Sequence, residues 1–92
     1  MAMEKNQKMI YLSRRQSDVV KLKGNFSEEN FELALTIGHR LKGHGESFGF
    51  PVISSLGTTM ESAAKERDEN KLIEIIEKLD SNIEENIKLL KK

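Results

Sequence analysis

Four segments of the chain show helical periodicity, and no stretch alternates between apolar and polar residues as a strand does. The clearest pattern lies near the C-terminus, where apolar residues recur at spacings of three and four from Leu72 to Leu90. Asp68 precedes this segment and is a residue type favoured at helix N-caps. The sequence therefore predicts a long amphipathic last helix that begins beside Asp68.

Start and stop signals bound the first and third segments. The first helix is predicted over about residues 4–23 and ends at Gly24-Asn25, a pair that commonly stops helices. The third begins at Phe50-Pro51, because proline is well tolerated at a first helical position. Their predicted apolar stripes are Met9, Leu12, Val19, Val20 and Leu22 in the first helix, and Ile53, Leu56, Met60, Ala63 and Ala64 in the third.

The second segment has the best-marked start. Ser27 is a good N-cap and is followed by two glutamates, which the helix dipole favours in a first turn. Phe26 and Phe31 have the spacing of a hydrophobic staple. We expect this helix to continue to about Phe48. Its predicted core face comprises Ala34, Ile37, Leu41, His44 and Phe48.

Short connections between the four segments favour antiparallel packing of sequential helices. The predicted fold is all-α, an antiparallel up-down-up-down four-helix bundle. It is expected to form one domain over residues 1–92, with residues 1–3 disordered or extra to the domain.

Composition narrows the classes of function. Fifteen basic and fifteen acidic residues give no net charge, which favours neither nucleic acid nor an anionic membrane as a partner. The absence of cysteine excludes disulfides, thiol catalysis and cysteine-based zinc sites. No apolar stretch approaches the roughly 20 residues that cross a bilayer, and the N-terminus lacks an apolar signal-peptide core. We therefore expect a soluble cytoplasmic protein without metal or cofactor.

The residues best suited to take part in a reaction surround His39 on the outward face of the second helix. Lys42 and Gly43 follow at three and four residues and share that face, as do Leu35 and Glu46. A neutral imidazole can attack phosphorus, and a nearby cation can neutralise phosphoryl oxygens. The glycine leaves space for an incoming active site. The pattern predicts a nucleophilic histidine presented to a large partner, with Leu35 as an apolar contact and Glu46 at the rim.

Simpler interpretations stay open for these side chains. A surface histidine without function, and a solvated Lys42 or Glu46, would fit the same periodicity. His44 lies about 140° around the helix from His39, which disfavours shared metal binding, so we expect a partly buried or helix-flank histidine. Glycine inside a helix costs roughly 1 kcal/mol relative to alanine. The glycines near His39 therefore need a reason, and close approach of a partner is one.

The run His39-x-Leu41-Lys42-Gly43, followed by Gly49, an apolar residue and a new helix, resembles the histidine phosphotransfer (HPt) domains of bacterial two-component phosphorelays. It is also similar to the phosphorylated domain of the chemotaxis histidine kinase. The resemblance spans roughly residues 31–68. It implies a left-handed four-helix bundle with an exposed phosphoaccepting histidine.

The resemblance implies roles for three residues, of which only that of Glu61 is not already suggested by the residues around His39. Lys42 would steady the phosphoryl group, and Gly43 would leave room for the partner. Glu61, 22 positions after His39, would hold the other ring nitrogen, although a solvated glutamate is the alternative. The chain departs from the family at Gly45, where many members have serine or alanine.

The implied function is that of a phosphocarrier. His39 would accept a phosphoryl group from a receiver-domain aspartate or a sensor histidine kinase and pass it to the receiver aspartate of a response regulator. Magnesium and most catalytic groups would belong to the partner, so the chain is not expected to be an enzyme by itself. It is expected to be a monomer. A module that sequesters response regulators without relaying phosphate is the alternative. A purely structural bundle would leave the glycines unexplained.

Overall fold

The computed structural model describes residues 4–24 and 27–92. Within them the chain is all-helical, as predicted, with four helices and no strand: α1 Lys5–Leu22, α2 Glu28–His44, α3 Pro51–Lys65 and α4 Glu69–Leu90. The expectations for residues 1–3, for Asn25 in the first stop signal and for Phe26 in the staple lie outside the described residues.

The predicted N-caps begin α2 and α4. The Ser27 hydroxyl accepts a hydrogen bond from the Asn30 amide at 3.4 Å, and the Asp68 carboxylate accepts one from the Lys71 amide at 3.1 Å. Each bond satisfies an N–H that has no acceptor within its own helix. Pro51 is the first residue of α3, as expected. The three start signals are therefore confirmed.

The predicted end of α2 at Phe48 is wrong by about one turn. Regular helix stops at His44, and turns follow until Gly49, whose φ of 89° lies in the left-handed region. Glycine adopts this conformation without the steric cost of a Cβ, so it ends the helical path. Glu46 consequently lies in this exposed turn, not in the regular helix.

His44 is exposed, so its predicted place in the core is wrong. Aromatic rings of α1 and of the segment that follows α2 close this end of the core instead. Tyr11 of α1 stacks on Phe48 with ring centroids 4.2 Å apart, and on Phe50 at 5.9 Å. Tyr11 had not been predicted as a core residue, yet it is buried.

Most other core predictions are confirmed. One predicted residue of α1, Val20, is instead 71% exposed, because its position faces away from the neighbouring helices. Leu56, Ile87 and Leu90 are partly buried against the core. The buried apolar residues predicted from the sequence are Leu12, Val19, Leu22, Ala34, Ile37, Leu41, Ile53, Met60, Ala63, Ala64, Leu72, Ile76, Leu79 and Ile83.

Each helix packs against two of the others among the described residues. The α2–α3 interface is the most extensive, α3–α4 and α1–α4 follow, and α1 meets α2 over a smaller area. The radius of gyration, 12.8 Å, is that of a compact domain of this length. None of the helices in the described ranges has the length and apolarity needed to cross a bilayer.

Glycines allow the backbones of α2 and α3 to approach closely. A Cβ on Gly38 would lie 2.8 Å from the Glu61 amide nitrogen, and one on Gly45 would lie 2.5 Å from that of Ser54. These distances are too short for any side chain, so both glycines of this pair serve helix packing. Gly43 differs, because a Cβ there would meet no described atom within 4 Å.

Candidate functional site

His39 projects from α2 with its side chain 70% exposed, and its Nδ1 lies 2.9 Å from Oε2 of Glu61 on α3. An ionised carboxylate only accepts hydrogen bonds, so Nδ1 is the donor. In the neutral ring this arrangement leaves the lone pair on Nε2. The reactive nitrogen is therefore the one turned away from Glu61.

Glu61 also binds Lys42, whose Nζ lies 2.8 Å from Oε1. One carboxylate thus holds the imidazole and the ammonium group to which the sequence analysis assigned phosphoryl chemistry. The Glu61 side chain is only 13% exposed, whereas that of Lys42 is 43% exposed. The ammonium group can therefore move toward solvent or an incoming anion, while the carboxylate is held by its surroundings.

The Glu61 carboxylate is strongly biased toward its ionised form. The hydrogen bond from Lys42 and, second, the one from His39 lower its pKa from 4.5 to about 2, against the opposing effect of burial. It is accordingly an acceptor throughout the neutral range. This permanent negative charge is suited to orient an imidazole and to stabilise positive charge that develops on the ring.

Two local features bring Glu61 to this position. Gly38 precedes His39 and lets the α3 backbone approach at the level of Glu61. The Ser54 hydroxyl donates a hydrogen bond of 2.8 Å to the Lys42 carbonyl and so links the last turn of α2 to α3. Sequence reasoning had missed both positions. For Gly38 the available signal was a glycine inside a helix, but the glycines near His39 had been attributed to partner access.

Leu35 is half-buried and packs against the core while lining a cleft beside His39. The prediction had assigned it to the outward face alone. Its side chain is instead partly buried against the core and partly open to the cleft. The cleft has a volume of about 380 Å³ and is lined by Leu35, Thr36, His39, Arg40, Glu61 and Lys65.

The remaining predicted positions surround this cluster less closely. Gly43 lies one turn from His39 with open space above it. Glu46 is exposed in the α2–α3 turn, and its predicted contact with a partner stays a prediction. The described residues contain no group of three or more histidine or carboxylate side chains that could hold a metal ion.

No protein-family model matches the chain, and neither a curated protein nor a solved structure matches it significantly. The functional assignment therefore depends on the residues around His39 and on the chemistry they permit.

Proposed function

We propose that this protein is a histidine phosphotransfer domain that accepts a phosphoryl group on His39 and passes it to a receiver aspartate. The observation that carries the proposal is the pairing of His39 with Glu61. An ionised carboxylate accepts the Nδ1 proton, which leaves Nε2 nucleophilic on a side chain that is 70% exposed. Lys42, beside it, supplies a partly exposed cation.

In the proposed transfer, Nε2 of His39 attacks the phosphorus of a phosphoaspartate on a receiver domain. The N–P bond forms while the P–O bond to the aspartate breaks, and the aspartate leaves as a carboxylate. The Nδ1 proton stays on the ring, which becomes positively charged and is stabilised by Glu61. The onward step reverses these changes on a second receiver. A sensor histidine kinase would be an alternative donor.

Lys42 is proposed to move from Glu61 to the phosphoryl oxygens during transfer. Phosphoryl transfer depends mainly on positioning and on stabilising negative charge, which a single ammonium group can provide. Magnesium and the other catalytic groups would come from the partner. The protein would then be a phosphocarrier and not an enzyme in isolation, and we propose that it acts as a cytoplasmic monomer.

The same proposal includes an antiparallel up-down-up-down bundle. Support comes from the packing of each described helix against two others and from the short turns at residues 45–50 and 66–68. Such a scaffold would hold His39 on a rigid surface. Rigid placement matters because an in-line displacement tolerates little misalignment.

The decisive experiment is phosphotransfer from radiolabelled phosphorylated receivers of the same genome to the wild type, His39→Gln and His44→Gln. We expect acid-labile, base-stable label on the wild type and His44→Gln only. Both histidines are exposed, so both variants should fold. Label on His39→Gln but not on His44→Gln would show that the wrong histidine has been chosen. Receivers that bind the wild type tightly without transferring label would instead support the sequestering module.

A further inference from the structure

Two cations line the cleft beside His39 and form no direct ion pair among the described residues. One of them, Lys65, acts on Glu61 at longer range and, after Lys42 and His39, helps to lower the pKa of that carboxyl. Arg40 follows His39 on α2, and Lys65 lies one turn after Glu61 on α3. Both are exposed, and neither takes part in an ion pair within residues 4–24 and 27–92. Their charges are therefore available to a molecule that enters the cleft.

Three carboxylates on the two helices that form the cleft are already engaged. Glu61 binds Lys42 and His39. On the N-terminal half of α2, Glu28 and Glu32 both bind Arg67, which belongs to the turn between α3 and α4; the Glu32 contact measures 2.9 Å. Although the chain has no net charge, the unpaired charge that lines the cleft is positive.

We propose that this cleft receives an acidic surface of the phosphoryl-exchanging partner, and that Arg40 and Lys65 set the rate of encounter and the choice among partners. The inference rests on the proposed function and adds the charge of the partner surface to it. Half-buried Leu35 provides an apolar contact in the same cleft. Charges at the rim of an interface act chiefly on the association rate, and salt screens them.

The test compares two double charge reversals that alter net charge equally. Arg40→Glu with Lys65→Glu reverses the cleft, and Lys71→Glu with Lys88→Glu reverses two exposed lysines of α4 that form no ion pair in the described part of the chain. The measurement is the second-order rate of phosphoryl transfer from a phosphorylated receiver at low and at high salt. Circular dichroism and thermal melting verify that both variants fold.

At low salt we expect the cleft variant to transfer at least about tenfold more slowly than the wild type, since electrostatic steering alters association rates by about 10- to 1,000-fold. This difference should shrink at high salt. The α4 variant should stay within about twofold of the wild type, because neither of its lysines lines the cleft. Arg40→Lys with Lys65→Arg should keep most of the wild-type rate.

Three other results would overturn the inference. Equal slowing of both double variants would mean that the net charge of the protein, not the charge of the cleft, determines the rate of phosphoryl transfer. Slowing that salt does not relieve would mean that the cleft variant has lost a structural contact. Failure of every receiver to label wild-type His39 would reject the proposed function itself, and this inference with it. That last outcome is distinguishable, because it is seen in the wild type before any variant is compared.

Discussion

Gly57 lies directly against the backbone of Lys42: a Cβ on Gly57 would be 2.5 Å from the Lys42 amide nitrogen. The same atom would be 2.6 Å from Cβ of Leu41. Gly57 is one helical turn before Glu61 on the same face of α3. The separation of α2 and α3 at this glycine therefore helps to set the distances from Glu61 to His39 and Lys42.

Gly57→Ala should destabilise the protein although alanine favours helices. Forcing an extra carbon into a close-packed interface typically costs about 1–3 kcal/mol. Gly43→Ala is the matched control, because it places the same Cβ in open space and should stabilise by up to about 1 kcal/mol. Urea denaturation of both variants measures the two free-energy changes. A Gly57→Ala variant as stable as the wild type, or more stable, would contradict the close contact at Gly57.

Glu61→Gln should change how stability depends on pH. Because the folded protein lowers the pKa of Glu61 from 4.5 to about 2, through Lys42 first and His39 second, the carboxylate stabilises the fold fully above pH 4.5. This contribution is lost as the pH falls toward 2. The difference in melting temperature between the wild type and Glu61→Gln should therefore shrink between pH 4.5 and 2.

Glu85→Gln is the control for this titration, since Glu85 is exposed and forms no ion pair among the described residues. Its melting curve should follow that of the wild type across the same pH range. If Glu61→Gln also follows the wild type, the two hydrogen bonds of Glu61 do not contribute to stability in solution.

Gly43→Glu should slow phosphoryl transfer sharply while leaving the fold intact. The side chain would extend into open space one turn from His39, where the proposed partner would approach. Stability should stay level or rise slightly from the gain in helix propensity. Transfer assays paired with thermal melting test this, with Gly43→Ala as the small-residue control. A large loss of stability combined with normal transfer by the folded fraction would assign Gly43 to internal packing.

Leu35→Ala should weaken receiver binding several-fold, because removal of a central apolar anchor often costs more than about 1 kcal/mol. It should also lower stability, by less than the roughly 2–5 kcal/mol of a fully buried leucine, since Leu35 is half-buried against the core. Titration with a receiver and urea denaturation separate the two effects. Leu89→Ala, at a position 56% exposed near the end of α4, is the control. Unchanged affinity with reduced stability would make Leu35 a core residue only.

Local patterns were sufficient to predict the four helices. The Ser27 and Asp68 caps, Pro51 at the start of α3 and the buried stripe of α4 each depend on residues within one or two turns, so the chain order alone reveals them. The outward position of His39 followed from the same periodicity. The end of α2 did not, because the left-handed conformation of Gly49 is one of several that glycine adopts equally well.

Contacts between helices required the folded structure. The bond from Glu61 to His39 joins residues 22 positions apart on different helices. The family resemblance implied this contact, but periodicity could not, because it contains no information on how far α3 is shifted along α2. The glycines illustrate the same limit. Gly38 and Gly43 look alike in the chain, yet a Cβ would collide with α3 at the first and meet open space at the second. Only the packing of two helix surfaces distinguishes them, because a side chain's available space is defined by atoms that are distant in sequence.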